Sequence, residues 1–158
     1  MHNVIVNTTP LIAFSNAGCL DLLRKLYGEI VIPQAVMDEI VREPARTMVS
    51  ESPWILKRSL SGEYEPGLFR AKLHAGEVEV MLLAKEIGAD LVVMDDNAAK
   101  KTAKFMGFRV TGSLGVLLRA KREGCIPMVK PILSAMIADG FFIDEKIIRY
   151  MLEEAQES

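Results

Sequence analysis

Residues 76–101, GEVEVMLLAKEIGADLVVMDDNAAKK, read as a helix, a turn and a buried strand that ends in acid. Gly76 opens the helix, and Val80, Leu83, Ala84 and Ile87 recur at helical spacing. Gly88 stands where a left-handed cap is wanted. The run Leu91-Val92-Val93-Met94 is short and apolar, suited to a strand covered on both faces, and Asp95, Asp96 and Asn97 follow at once. Counting about 100° per residue from Glu77 puts Ala84 at about −20° and Met81 at about 40°, but Glu79 and Glu86 at about 200° and about 180°. Glu77 therefore faces inward, at the edge of the apolar stripe, in the first turn where the backbone dipole favours an anion. An inward carboxylate at a helix start and another at a strand's carboxyl end make a candidate metal or catalytic pair. The plainer reading is a helix-start acid and a polar turn.

The chain has 158 residues, half of them hydrophobic, which suits one domain with a real core and not two. A formal charge of −2 supplies no global basic field for nucleic acid. Cys19 and Cys125 are far apart and lack metal-ligand spacing, and His2 and His74 stand alone. A disulfide framework is not expected, and a reducing, cytoplasmic setting is. No apolar run reaches membrane-spanning length, and the N-terminus reads as a first strand rather than a signal peptide.

In chain order, residues 3–6 (NVIV) form a short strand, and Asn7-Thr8-Thr9-Pro10 starts a helix that Gly18 breaks. Residues 20–26 are a second helix and 29–32 a second strand. Pro33 opens a helix to about residue 42, on which Glu39 lies beside the apolar face and Asp38 on a polar one. Residues 44–67, with Pro44, Pro53, Pro66, Gly62 and Gly67, read as the least regular part, with an extended piece at Trp54-Ile55-Leu56. Trp54 is expected to plug the core, and 68–73 to lead into the central stretch. A helix over 98–106 carries Lys100, Lys101 and Lys104. Then come a strand at 108–111, a helix capped by Ser113, a helix at 132–138 and a last one at 145–155 capped by Asp144. The tail QES is expected to fray. Short apolar strands separated by helices indicate an α/β fold, a three-layer α/β/α sandwich with a mostly parallel central sheet.

In such sheets sites gather beyond the carboxyl ends of the strands. Asn7 and Asp95 each follow a strand, and Glu39 and Glu77 line helices that can flank the same crevice. Four oxygen-bearing side chains from distant parts of the chain suit Mg2+ or Mn2+, which prefer hard oxygen ligands. The chemistry most often built this way is metal-assisted attack of water on a phosphodiester. Lys100 and Lys101 are candidates for holding substrate phosphates, or else form a solvated helix face. A phosphotransfer domain with Asp95 as phosphoacceptor is a competing reading, but no second strand-end Asp and no phosphate-cradling glycine loop accompany it.

The chain resembles the PIN-domain family, and within it the group related to VapC-type toxin nucleases. The resemblance is carried by VIVNTTPLI (4–12), Ile32-Pro33 with Glu39-Ile40, Gly76-Glu77-Val78-Glu79, LVVMDD (91–96), VTGSLGVLL (110–118) and Gly140-Phe141-Phe142. It implies one PIN-like domain over 1–158, with helices at 127–156 packed on it. It also implies a Mg2+- or Mn2+-dependent ribonuclease cutting single-stranded RNA, of the kind found as the toxin of a toxin–antitoxin pair and as a homodimer. Segments 20–26 and 147–152 are candidates for the dimer contact, or else core. By the resemblance Asn7, Glu39, Glu77 and Asp95 stand at the four acidic positions: Glu39, Glu77 and Asp95 as catalytic acids, and Asn7, Glu77, Asp95 and Asp96 as metal ligands. Thr8, Thr9 and Asn97 are expected to order water or substrate. Asn7 departs from the family, which usually has aspartate there. One neutral carbonyl oxygen replaces a charged group, which implies weaker metal binding and leaves a second expectation open: a catalytically impaired module that binds RNA or a protein.

Overall fold

The computed structural model describes residues 3–62 and 74–158. The expectations for His2, Pro66, Gly67 and 68–73 lie outside the described residues.

Among the described residues five strands form one sheet in the order β3-β2-β1-β4-β5, and every pairing is parallel. They are β1 (Val4–Val6), β2 (Ile30–Pro33), β3 (Ile55–Arg58), β4 (Leu91–Val93) and β5 (Val110–Thr111). All three residues of β1 and all four of β2 are buried. Successive side chains of a strand point to opposite faces, so both faces of the sheet are covered. Each fully buried aliphatic of this kind contributes about 1.5–3 kcal/mol through loss of apolar surface from water. The covering helices are α1 (Thr8–Asn16), α2 (Asp21–Tyr27), α3 (Gln34–Glu39), α4 (Ala45–Ser50), α5 (Ala75–Ile87), α6 (Asn97–Phe105), α7 (Ser113–Arg122), α8 (Lys130–Ala138) and α9 (Glu145–Glu154). Val129, Met136, Met151 and Ala155 join the same core as the sheet, so the last two helices pack onto it. No helix among the described residues is long and apolar enough to cross a membrane.

The central stretch folds as its sequence predicts. Val80, Met81, Leu83 and Ala84 are buried on α5, and Gly88 ends it in the left-handed region at φ 63°. Several expectations need correction. The helix after Pro33 stops at Glu39, because Ile40 turns to extended backbone and its carbonyl accepts from the Arg46 guanidinium at 2.9 Å. The extended piece expected at 54–56 is the edge strand β3, but the segment expected to be least regular also holds the helix α4. Trp54 is only half-buried against the core. Gly112, not Ser113, takes the cap position of α7.

The tail does not fray. The Glu157 side chain is 4% exposed and accepts from Lys121 Nζ at 2.9 Å, Val129 N at 2.8 Å and Lys130 N at 3.0 Å. Lys121 also donates to the Ala155 carbonyl. Burial would raise the Glu157 pKa, but the Lys121 ammonium and the two N–H groups outweigh it and hold the carboxyl below its ordinary value. A depressed carboxyl contributes stability above its unfolded pKa and loses it as the pH falls through the folded one. Glu157→Gln is therefore expected to cost about 1 kcal/mol at neutral pH. The gap to the parent should close as the pH falls below about 4, which thermal melts at about pH 7 and about pH 3.5 will read.

Candidate functional site

The chain leaves β1 toward β2 on one side and leaves β4 toward β5 on the other, so the strand order reverses between β1 and β4. Ligand crevices of open α/β sheets form at such a switch, beyond the carboxyl ends of the strands. Val6 pairs with Val93 and Val93 with Thr111, so β1, β4 and β5 end in step. Asn7, Asp95 and Ser113 stand at the three adjacent ends. Asn7 donates its backbone N–H to the Val93 carbonyl at 2.9 Å, and Met94 donates to Thr111 at 2.9 Å. Each strand runs directly into a helix (α1, α6 and α7), so three positive helix N-termini meet at this edge.

Asn7 is 5% exposed, and its side-chain Oδ1 is fully buried with no hydrogen-bond partner among the described residues. A buried unpaired oxygen is costly, on the order of 1–3 kcal/mol, and calls for an explanation. Asn7 occupies the cap position of α1 but its side chain makes no capping bond.

Asp95 is half-buried and held on both oxygens: Ser113 N donates to Oδ1 at 2.8 Å and Ser113 Oγ to Oδ2 at 2.6 Å. Ser113 is fully buried. Glu39 sits on the other flank. Thr8 Oγ1 donates to its Oε2 at 2.6 Å and Gly76 N to its Oε1 at 2.9 Å, joining the starts of α1 and α5 to the end of α3. Although exposed, the Glu39 carboxylate is thus fixed in place. Glu77 is 6% exposed, facing inward as its helical position predicts, and its Oε1 accepts from the His74 N–H at 3.0 Å. It is both an inward acid and a cap for α5.

Two glycines make the room. A Cβ on Gly76 would lie 2.6 Å from both Glu39 carboxylate oxygens. A Cβ on Gly112 would lie 2.8 Å from Lys100 Nζ and 2.9 Å from Asp95 Oδ1. Gly112 has φ −103° and ψ −179°, which any residue adopts, so space and not backbone freedom calls for glycine there.

The other expected residues are arranged unequally. Asp96 is exposed and caps α6, accepting from Ala99 N at 2.9 Å. Asn97 and Lys101 are exposed on α6, while Lys100 is half-buried and reaches back toward Asp95. Thr9 is exposed and lines a hollow of about 180 Å³ beside Met136, Asp139 and Phe141. Glu39 lines a groove of about 530 Å³ with Ile12, Asn16, Arg42 and Asp139. A wider cleft of about 690 Å³ opens beside Asn3, Gly28 and Ile87, and none of Asn7, Glu39, Glu77 and Asp95 lines it. Among the described residues, no three acidic, histidine or cysteine side chains come close enough together to hold a metal ion. The structure therefore gives two linked halves, Glu39 with Thr8 and α5, and Asp95 with Ser113 and Lys100. Asn7 lies at the strand end next to Asp95 and in sequence next to Thr8.

The family profile described as PIN domain matches residues 3–157. The chain belongs to the PIN-domain family. PIN domains are in general nucleases, typically dependent on divalent metal. Similar solved structures include a PilT N-terminus domain protein from the hyperthermophilic archaeon Sulfolobus solfataricus P2, with a TM-score of 0.50 and 14% identity over 74% of this chain and 92% of that one. At that identity the likeness shows the fold alone. No curated protein matches the chain.

In this PIN domain Ser113 and Gly112 escaped sequence reasoning. Their signal was present: a glycine placed directly between a strand and a helix, and followed by a hydroxyl. Ser113→Ala is expected to destabilise the protein by about 2 kcal/mol, since it removes a buried hydrogen bond to a charged acceptor. Urea denaturation should show a lower midpoint with an unchanged slope.

Proposed function

We propose that residues 1–158 form one PIN domain that acts as a divalent-cation-dependent endoribonuclease on single-stranded RNA, the toxin of a toxin–antitoxin pair. In this reading it works in the cytoplasm as a homodimer, held in check by a small antitoxin protein. The observation that carries the proposal is Asn7 Oδ1, buried and without a partner among the described residues, at the strand end beside Asp95, where three helix N-termini favour the carboxylates and a substrate phosphate.

The donors fit a hard cation in kind. Asn7 Oδ1, Glu77 and Asp95 offer one neutral and two charged oxygen ligands, a set that suits Mg2+ or Mn2+ and no soft metal. When bound, the cation would activate water and stabilise charge on the phosphate. The chain's own groups do the rest. Ser113 fixes both Asp95 oxygens, so the carboxylate cannot swing away. Thr8 and Gly76 fix Glu39 as the third catalytic acid in the same way. Asp96, exposed one residue beyond Asp95, is left to order water around the ion through the lone pairs that capping does not use. Thr8, Thr9, Asn97 and Lys101 line the approach of the RNA strand.

A second reading is favoured by two observations: Asn7 is neutral, and no three acids meet among the described residues. The chain is then an impaired PIN domain that binds RNA or a protein without cutting. One assay separates the two: labelled single-stranded RNA incubated with Mn2+, with Mg2+ or with EDTA, comparing the parent, Asn7→Asp and Asp95→Asn. The nuclease reading expects cleavage by the parent that EDTA and Asp95→Asn abolish, and faster cleavage by Asn7→Asp. Cleavage by Asn7→Asp alone would select the impaired form, and metal-independent cleavage would overturn the mechanism.

A further inference from the structure

Lys100 differs from its neighbours on α6. Lys101 and Lys104 are exposed, but Lys100 is half-buried. Its ammonium lies 2.8 Å from the point where a Gly112 Cβ would stand, and Asp95 Oδ1 lies 2.9 Å from that same point. A helical side chain leans toward the N-terminus of its helix, and this one leans back over the start of α6 to the ends of β4 and β5. Three features make that position unusual. The first is electrostatic: the N-termini of α6 and α7 favour an anion at this edge, the Asp95 carboxylate or a phosphate beside it. The second is pairing: among the described residues Lys100 donates no hydrogen bond and enters no ion pair within 4.0 Å, whereas Asp95 is already held on both oxygens by Ser113. The third is space: Gly112, in a conformation open to any residue, is kept free of a side chain where the ammonium sits.

We propose that Lys100 is the phosphate-holding residue of the site, binding a non-bridging oxygen of the RNA phosphodiester beside Asp95 through the space left by Gly112. The proposal deepens the ribonuclease reading and rests on it for the identity of the substrate. It assigns the role to Lys100 rather than to the lysine cluster of α6 as a whole. Lys100 supplies charge and orientation, and no covalent step passes through it.

The test measures binding apart from cleavage. Fluorescence anisotropy of an end-labelled short single-stranded RNA is recorded in EDTA over a range of salt, for the parent, Lys100→Gln, Lys101→Gln and Gly112→Ala. Lys85→Gln, at the far end of α5, is the control. Lys100→Gln is expected to weaken binding about tenfold and to lower the slope of log K against log salt by about 0.7, the value of one lost phosphate contact on a single strand. Lys101→Gln should move the affinity less. Gly112→Ala removes no charge, yet should reproduce much of the loss by displacing the ammonium. Thermal melts check that each variant is folded. An unchanged slope in Lys100→Gln, a loss equal to that of Lys101→Gln, or no RNA binding by the parent overturns the proposal. The two readings fail separately. Cleavage that needs Asp95 but tolerates Lys100→Gln keeps the nuclease and removes Lys100. Binding that needs Lys100, without cleavage in any metal, keeps Lys100 and removes the nuclease.

Discussion

The parallel pairing of β1 with β4 is the constraint on which the site depends. Val4, Ile5 and Val6 lie opposite Leu91, Val92 and Val93, and only Leu91 of the six is not fully enclosed. A slip of one residue would turn every side chain of a strand to the opposite face, so the register is strongly specified. Because it is fixed, the ends of the two strands are fixed too, and Asn7 and Asp95 arrive side by side from positions far apart in the sequence. The strand order reverses between them, the place where open α/β sheets bind their ligands.

The site is assembled from the starts of helices more than from the strands. α1, α5, α6 and α7 each bring a backbone N–H, an acid or a hydroxyl to it, and most of the carboxylates serve twice. Glu77 caps α5, Asp96 caps α6, and Glu39 ties α1 to α5. This double use explains how acids survive near a hydrophobic core: each is stabilised by N–H donors and helix dipoles before any ligand arrives. Asn7 is the exception in this set: it is neutral, and among the described residues its buried Oδ1 has no hydrogen-bond partner, a condition it shares with Ser15 Oγ on α1.

Much of this was legible in the sequence because it follows from local periodicity. The α5–Gly88–β4 unit, the inward turn of Glu77 and the acid after β4 depend only on spacing within a dozen residues or so. The parallel α/β architecture follows from the alternation of such units. What escaped depends on a pattern too short to read or on one particular side-chain partner. α4 has just Ala45 and Val49 buried, one pair at helical spacing, too little to show a period between Pro44 and Pro53. The early end of α3 depends on Arg46 reaching back to Ile40. Ser113 looked like a cap and lies one residue inside the helix, where Asp95 from the neighbouring strand claims its hydroxyl. Helix position and the family resemblance both made Glu39 a candidate, and the structure adds the hydrogen bonds from Thr8 and Gly76 that hold its carboxylate.

The two strands at the margins of the sheet have a consequence for self-association. β5 offers only two residues, and the outer strand β3 ends in Lys57 and Arg58, both exposed. A short margin on one side and a cationic one on the other are poor templates for adding a strand from another molecule. Among the described residues the sheet holds five strands, and neither margin invites a sixth from a neighbour. The most exposed apolar side chains among the described residues, Phe105 on α6 and Phe142 before α9, lie outside the sheet, so helical surfaces offer a second copy more apolar area than the strand edges do.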